Sequence, residues 1–335
     1  MAAVGLAPRG RRGVAVPGLV DLQVNGYAGV DFLGASAAGW ARAGEALLAA
    51  GVAAYQPTFV TAPEDALVEA LRGLPPAAAP GALVVGAQLE GPFLSAARLG
   101  AHPAEHRREP DPELLDRLLS AGRVTTLTLA PELPGALELV RRAREQGVVV
   151  GAGHSEATAA QAHAAFDAGV STVNHLFNAM PPPAAREPGL VGAALTRADV
   201  VVQVLVDGRH LADETVRLVW AAARGRVALV SDATAAAAAP AGSYRLGETA
   251  IELAGGVPVR ADGALAGTAI ALLDAVRNLH ALGVPFEDAV GAATAVPARV
   301  LRRPDLGVLE PGSHGGVAVL DDRLELVQAT AAVAP

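Results

Sequence analysis

The sequence contains no cysteine and no lysine, and all 26 basic residues among its 335 are arginine. Without cysteine, the chain cannot form disulfides, thiolate metal sites or a cysteine nucleophile. Without lysine, Schiff-base chemistry and a lysine that bridges two metal ions are excluded. The lack of cysteine also fits a reducing compartment.

Positive charge and long apolar runs are scarce as well. The formal net charge is −8, which argues against an electrostatic grip on nucleic acid. No run approaches the roughly 20 apolar residues of a membrane helix. Arg9, Arg11 and Arg12 precede an apolar stretch, but no small-residue cleavage pattern follows it. We therefore expect a cytoplasmic protein that binds neither nucleic acid nor membranes.

The chain is rich in apolar residues, at 52% of the sequence, which is enough for a sizeable core. Its length corresponds to one large domain, or to one large domain with a small companion. Apolar runs bounded by turn residues predict eight buried strands, at 19–24, 52–60, 82–90, 124–129, 148–155, 171–175, 200–207 and 227–232. Helical spacing predicts helices at 36–50, 63–74, 111–119, 133–146, 156–168, 212–223 and, as the final helix, 268–282.

Eight strands that alternate with helices are the number that closes a (β/α)8 barrel. A doubly wound open sheet is the rival architecture, but it usually carries a glycine-rich phosphate turn after its first strand. Asn25-Gly26-Tyr27-Ala28-Gly29 is a poor version of that turn. The pattern therefore predicts an α/β fold of the TIM-barrel type.

Three segments lie outside the repeating pattern. The barrel is expected to span 17–306, with a short segment at 1–16 and a C-terminal β segment at 307–335 that belong to a small β subdomain. Within the barrel, 235–263 is rich in Gly, Ala and Pro and has two short alternating runs. We expect it to form a hairpin-like insertion over the barrel mouth.

Three strand ends carry the side chains of a metal site. Glu90 follows the third apolar run, His154 the fifth and His175 the sixth. Parallel barrel strands bring their carboxyl ends to one face, so these residues should converge. One carboxylate and two imidazoles are a usual ligand set of a catalytic zinc ion, with a fourth position open for water. The sequence thus predicts a divalent metal site, in which Zn²⁺ is favoured and Fe²⁺, Mn²⁺ or Co²⁺ would also be accommodated.

A further carboxylate, Asp232, follows the eighth strand. At that place it can act as a general base and then as a general acid. The competing interpretation is a structural aspartate that caps the following loop. His102 lies on the loop beyond Glu90 and could polarise a substrate carbonyl. Glu132 and Asp207 also follow strands, and we expect them to support ligands rather than to bind the metal.

Six short blocks, in this order and spacing, resemble the N-acetylglucosamine-6-phosphate deacetylases of the amidohydrolase superfamily. The resemblance extends from Pro17 to about Val319, which is nearly the whole chain. The blocks are Leu89-Glu90-Gly91-Pro92-Phe93, Gly153-His154-Ser155, Asn174-His175-Leu176-Phe177-Asn178-Ala179-Met180, Asp207-Gly208-Arg209-His210, Ser231-Asp232-Ala233-Thr234 and Leu265-Ala266-Gly267-Thr268.

The resemblance implies hydrolysis of the acetamide of N-acetylglucosamine 6-phosphate, with Glu90, His154 and His175 on the metal and Asp232 as the base. It also implies substrate contacts from Ala101, His102, Asn178, Ala179, Arg186, His210, Leu265, Ala266 and Gly267. The planar guanidinium of an arginine suits a phosphate because it can bond two oxygens at once.

The same resemblance bears on the number of metal ions and on assembly. Many amidohydrolases carry His-x-His on the first strand for a second metal, but this chain has Gln23-Val24-Asn25 there, as one branch of the family does. We therefore expect one ion per chain. We also expect a homodimer, in which Arg186 could reach the substrate of the neighbouring subunit.

Two other functions remain open at this point. The pocket could prefer N-acetylgalactosamine 6-phosphate or another acylamino sugar, or the barrel could bind a sugar phosphate without turnover.

Relatives usually have some fifty residues before the Pro-Gly-Leu-Val-Asp block, where this chain has sixteen. That difference predicts that the strands between Gly307 and Val327 lack partners and expose an edge.

Overall fold

The computed structural model describes residues 3–6, 12–76 and 79–333, with side chains from residue 13 onwards. The strands of this part of the chain are β1 Ala3–Leu6, β2 Arg12–Pro17, β3 Leu19–Val24, β4 Gly26–Tyr27, β5 Val30–Asp31, β6 Val52–Val60, β7 Leu83–Val84, β8 Ala87–Glu90, β9 Val124–Leu129, β10 Val149–Ala152, β11 Thr172–Val173, β12 Val201–Val204, β13 Val227–Leu229, β14 Gly242–Leu246, β15 Thr249–Ala254, β16 Val257–Val259, β17 Val317–Asp321 and β18 Leu326–Ala329. The helices are α1 Ala37–Ala49, α2 Glu64–Arg72, α3 Pro112–Ala121, α4 Ala136–Glu145, α5 Ala159–Ala168, α6 Gly189–Thr196, α7 Asp213–Ala223, α8 Leu272–Ala281, α9 Phe286–Ala292 and α10 Ala295–Val300.

The central sheet is the predicted barrel. Its eight parallel strands follow the order β13-β12-β11-β10-β9-β8-β6-β3, and β7 pairs with β6 beside this path. The path closes because Val24 bridges Ala233 in parallel, just beyond the end of β13. Each predicted strand is found, although the third is divided into β7 and β8. Gly86 lies at this division with a φ of 129°, a value that favours glycine.

Local sequence signals explain where several barrel helices begin. Ser36 accepts a hydrogen bond from the Gly39 amide at the start of α1, and Asp111 caps α3 in the same way. Thr158 and Gln161 form a capping box at the start of α5. Each helix turns its buried residues towards the sheet, and most of the hydrophobic core lies between the strands and the helices.

Three helices were not predicted. α6 lies between the sixth and seventh barrel strands, and α9 and α10 follow α8, so the helix predicted as the last one is followed by two more. Ala, Gly and Val make up most of these short helices, which gives them little contrast between a polar and an apolar face. Periodicity is the signal on which the helix prediction depended, and it is weak in such segments.

The small subdomain is a four-stranded sheet in the order β1-β2-β17-β18. β2 pairs with β17 in antiparallel register, from Val317 opposite Pro17 to Asp321 opposite Gly13. The prediction that the C-terminal strands lack partners is therefore wrong. The short N-terminal segment supplies β1 and β2. Of these, β2 covers one edge of β17, and β1 pairs with the other edge of β2.

The insertion forms a separate three-stranded antiparallel sheet, β14-β15-β16. Its inner face packs Leu246, Ile251 and Leu253 into a small apolar cluster with Val60, at the end of β6. The insertion sheet therefore packs against the carboxyl end of β6. Among the residues that the structure describes, no helix is both long and apolar enough to cross a membrane.

Candidate active site

A cavity of about 190 Å³ opens at the carboxyl ends of the barrel strands, beneath the insertion sheet. Its lining combines the polar strand ends with a few apolar side chains: Asn25, Val60, Glu90, Gly100, Ala101, His102, His154, His175, Asn178, Ala179, Leu205, His210, Asp232, Leu246, Leu265, Ala266 and Gly267. A larger groove of about 660 Å³ borders α1 and α2, but no histidine lines it. The cavity at the strand ends is therefore the candidate for chemistry.

Glu90, His154 and His175 meet on the floor of this cavity, as predicted. The Nε2 atoms of the two histidines are 3.1 Å apart. The Glu90 Oε1 atom lies 3.3 Å from the His154 Nε2 and 3.0 Å from the His175 Nε2. All three side chains are buried. One ligand atom from each residue therefore faces a common point, which is the arrangement that a bound cation requires.

The hydrogen bonds around His154 prepare it to bind a cation. Its Nδ1 lies 2.8 Å from the Arg98 carbonyl oxygen, which can only accept, so Nδ1 carries the proton. The Nε2 lone pair is then directed at Glu90 and His175. Burial and the charge of His102 lower the pKa of His154, which favours the neutral, ligating form. This tautomer, with the second nitrogen on a carbonyl, is typical of metal-binding histidines.

Glu90 carries a stable negative charge despite its burial. Burial acts to raise the pKa of Glu90, but the neighbouring imidazoles of His102, His154 and His175 outweigh it and hold the pKa well below its ordinary value. A buried carboxylate that remains ionised is a hard anionic ligand, and two neutral imidazoles complete a set that fits a divalent ion. The chemistry of the donor set therefore agrees with the predicted metal site.

Several residues of the site have an unusual backbone conformation. His154, His175 and Asp232 have φ angles of 50°, 25° and 49°, in the region that non-glycine residues rarely adopt. Such conformations persist only where the surrounding structure holds them, and they concentrate at functional sites. At each of these positions the chain turns sharply out of its strand, which directs the side chain across the cavity rather than up into the loop.

Asp232 lies opposite the metal ligands and is held by two amides. Its Oδ1 accepts hydrogen bonds from the Asn25 Nδ2 at 2.7 Å and from the Gln23 Nε2 at 3.1 Å. Gln23 also donates to the Glu90 Oε1 at 3.2 Å, so one amide bridges both carboxylates. Burial and the charge of Glu90 raise the pKa of Asp232 to about 6. A carboxylate with that pKa can both accept and return a proton near neutral pH.

His102 lies on the other side of the cavity in a defined tautomer. The backbone amide of Thr61 donates to its Nδ1 at 3.1 Å, so the ring proton of a neutral His102 must be on Nε2. That Nε2 is 3.6 Å from the Glu90 Oε2 and borders the cavity. His102 therefore presents a hydrogen-bond donor to whatever binds beside the metal ligands.

Two carboxylates support neighbouring residues, as expected. The Asp207 Oδ2 lies 2.7 Å from the His210 Nδ1, which leaves the His210 Nε2 for the cavity. Glu132 accepts from the Ser155 hydroxyl at 2.7 Å and from the Glu156 amide at 2.6 Å. These bonds fix the turn that follows His154.

The structure brings together every predicted site residue except one. Ala101, Asn178, Ala179, His210 and the 265–267 loop all line the cavity with the metal ligands. Arg186 does not: it is exposed on the loop after Pro183, outside the cavity of its own chain. Arg186 therefore does not border the cavity in which a phosphate of the same subunit would bind.

Among the site residues that were not predicted, Val60, Gly100, Leu205 and Leu246 line the cavity, and Thr61 orients His102. Val60 and Leu205 stand at the ends of predicted strands, so their positions could be read from the sequence. Both side chains are apolar, however, and only polar strand ends indicate a catalytic or metal-binding role. Leu246 comes from the insertion, whose placement depends on the tertiary structure.

The fold and the site together define a (β/α)8 barrel hydrolase with a buried carboxylate and two histidines that could bind a metal ion. The amidohydrolase family model matches residues 14–334. The chain belongs to the amidohydrolase family.

Similar proteins narrow this class further and confirm the resemblance seen in the sequence. The chain is 37% identical to an N-acetylgalactosamine-6-phosphate deacetylase of Escherichia coli O157:H7, over 93% of this chain and 85% of that protein. It is 35% identical to an N-acetylglucosamine-6-phosphate deacetylase of Vibrio furnissii, over 92% and 79%. A solved structure of an N-acetyl-D-glucosamine-6-phosphate deacetylase variant from Mycobacterium smegmatis, in complex with N-acetyl-D-glucosamine-6-phosphate, matches with a TM-score of 0.89 and 36% identity, covering 95% of this chain and 85% of that one.

Proposed function

We propose that this protein hydrolyses the acetamide of N-acetyl-D-glucosamine 6-phosphate to D-glucosamine 6-phosphate and acetate. The observation that carries the proposal is the cavity in which Glu90, His154 and His175 converge opposite Asp232. The names of the similar proteins supply the substrate class, because they act on 6-phosphorylated N-acetyl amino sugars.

The metal site takes one divalent ion, held by Glu90, His154 and His175. When bound, such an ion polarises a carbonyl and makes water acidic enough to attack at neutral pH. The nitrogen-rich ligand set favours Zn²⁺, and Fe²⁺, Mn²⁺ or Co²⁺ also fit it. Gln23 and Asn25 occupy the positions where a second ion would need histidines, and their amides already bind Asp232.

Asp232 moves the protons of the reaction. It accepts a proton from the attacking water and then donates it to the departing amine, which is a poor leaving group until it is protonated. Asn25 and Gln23 both bond the Oδ1 atom, so among the described residues the Oδ2 atom has no partner and is free for this exchange. The Nε2–H of His102 is placed to donate to the carbonyl oxygen of the acetamide, where negative charge develops.

The sugar and its phosphate extend towards the other side of the cavity. His210, fixed by Asp207, presents its Nε2 there, beside the turn that carries Asn178 and Ala179. Ala101, Leu265, Ala266 and Gly267 border the opening and complete the substrate contacts.

Arg186 binds the phosphate from a neighbouring subunit, which requires a homodimer. Its exposure on a proline-rich loop, outside the cavity of its own chain, supports this role. We place the protein in the cytoplasm, where a phosphorylated sugar and a chain without cysteine are both expected.

A second substrate is favoured by one specific observation. The relative that shares 37% identity is named for the galacto sugar rather than the gluco sugar. The two differ only in the orientation of one hydroxyl group, so the same metal site and base would serve either. A barrel that only binds sugar phosphate is less consistent with the site, because such a protein needs no buried base at Asp232.

The experiment that tests the function is acetate release from both 6-phosphorylated sugars and from their unphosphorylated forms, with and without a chelator. We expect release from N-acetylglucosamine 6-phosphate that is lost with the chelator and restored by Zn²⁺. Faster release from the galacto substrate would reassign the preferred sugar. If neither phosphorylated sugar is hydrolysed by the metal-loaded protein, the proposed function is wrong.

A further inference from the structure

The cavity has an apolar sector at Val60 and Leu246, between the base and the carbonyl-binding histidine. Asn25, which holds Asp232, directly follows β3, and β6 is the next strand of the barrel beside β3. β6 ends at Val60, whose partner in the parallel register is Glu90 on β8. Residues aligned in this way point to the same side of the sheet, so Val60 faces the cavity next to the metal ligand.

The residue after Val60 links this sector to His102. The Thr61 amide donates to the His102 Nδ1, and the Thr61 hydroxyl donates to the Glu90 carbonyl oxygen at 3.3 Å. Val60 therefore lies between Asn25, which holds Asp232, and Thr61, which holds His102. Its side chain is only 4% exposed.

The insertion sheet closes this sector from above. Leu246, at the end of β14, shares an apolar cluster with Val60 and Ala266, and Ala101 packs against that cluster. The backbone of Gly247 is so close that a Cβ atom there would lie 2.9 Å from the Val60 Cγ2. The turn at Gly247 therefore packs directly against Val60, and a side chain at this position would collide with it.

Hydrogen bonds hold this roof in place on two sides. The Gly247 amide donates to the Asp31 Oδ2 at 2.7 Å, and the Thr249 hydroxyl donates to the Ala101 carbonyl at 2.9 Å. The His106 Nε2 lies 2.7 Å from the Glu248 Oε2. These bonds tie residues 247–249 of the insertion to β5 and to the loop after β8. They hold the walls of the apolar sector in place.

The chemistry of the amide assigns this sector to one part of the substrate. The carbonyl oxygen needs His102 and the metal ligands, and the amine nitrogen needs Asp232. The hydroxyl groups and the phosphate of the sugar need polar partners, which lie on the far side at His210 and in the turn after His175. The remaining substituent is the alkyl part of the acyl group.

Resting on the proposed function, we infer that Val60 and Leu246 form the acyl subsite and restrict the enzyme to short acyl groups such as acetyl. Leu205 is the alternative apolar surface, but it packs with Leu22 and Val230 inside the barrel, on the side of His175 and Asp232. A methylene group that meets a rigid wall is disfavoured by roughly 10- to 200-fold in kcat/KM.

The test compares N-acetyl-, N-propionyl- and N-butyrylglucosamine 6-phosphate as substrates of the metal-loaded protein. Val60→Ala should raise the propionyl-to-acetyl ratio of kcat/KM by about tenfold or more. Leu246→Ala should raise the same ratio, and it decides the matter if Val60→Ala does not fold. Leu205→Ala is the matched control, because it enlarges the cavity away from this sector and should leave the ratio at the parent value.

The outcomes separate this inference from the proposed function. If the parent releases acetate but neither Val60→Ala nor Leu246→Ala changes the ratio, the acyl subsite is misassigned and the proposed function stands. A ratio raised by Leu205→Ala alone would move the subsite to Leu205. If the parent releases no acyl group from any of the three substrates, both conclusions fail.

Discussion

Replacing Asp232 by asparagine should slow turnover strongly while preserving the site. The Oδ1 atom, which accepts from Asn25 and Gln23, has a counterpart in the asparagine side chain, so both hydrogen bonds can remain. The Oδ2 atom becomes an amide group, which cannot accept the proton of the attacking water. Glu90, His154 and His175 are not altered, and we expect the metal and the substrate to bind as in the parent.

The expected loss follows from the role of the carboxylate. A positioned general acid–base typically contributes 10²- to 10⁴-fold to the rate. Because the proposed mechanism assigns both proton transfers to Asp232, we expect kcat to fall within this range, which corresponds to about 3 to 5 kcal/mol of barrier. The parent should also lose activity as the pH drops below about 6, because protonation of Asp232, whose pKa burial raises to about 6, removes the base.

The assay measures kcat, metal content and substrate affinity on the same preparation of Asp232→Asn. Asp21→Asn is the matched control, since Asp21 is also a buried aspartate, but it bonds the Ser231 amide beneath the site and does not line the cavity. This control should keep most of its turnover. A near-parental kcat in Asp232→Asn would show that Asp232 is not the base, and loss of the metal would show that it is a ligand.

Three further predictions test other parts of the site and the fold. Elemental analysis after dialysis should give about one metal ion per chain, because Gln23 and Asn25 replace the ligands of a second ion; two tightly held ions would contradict this. Arg186→Ala should raise KM for the phosphorylated sugar more than for the unphosphorylated one. Equal effects on both sugars would show that Arg186 does not bind the phosphate. Light scattering tests the proposed dimer independently. Burial raises the pKa of Asp21 from 3.8 to about 7, so the folded protein holds a proton there that the unfolded chain has lost. Stability should therefore fall by up to about 4 kcal/mol as the pH rises from about 4 to 7, and urea unfolding of Asp21→Asn should lack this slope; parallel pH curves for the two proteins would refute it.

The sequence by itself determined the barrel and which polar residues meet at its mouth. Strands that are buried on both faces appear as unbroken apolar runs, and eight of them alternate with helical segments. In a parallel barrel, all strands end at the same face, so a polar residue at a strand end has a predictable location. Asn25 and Asp232 are 207 positions apart and yet form a hydrogen bond of 2.7 Å. Glu90, His154 and His175 meet for the same reason.

Only the tertiary structure decided which surfaces surround that chemistry. The pairing of β2 with β17 joins opposite ends of the chain, and neither strand alone reveals its partner. The contact of Leu246 with Val60, and the position of Arg186 outside the cavity, depend on how the insertion and the loops pack. Strand ends are fixed by the repeating geometry of the barrel, whereas loops and edges take their places through contacts between residues far apart in the sequence, which local patterns do not encode.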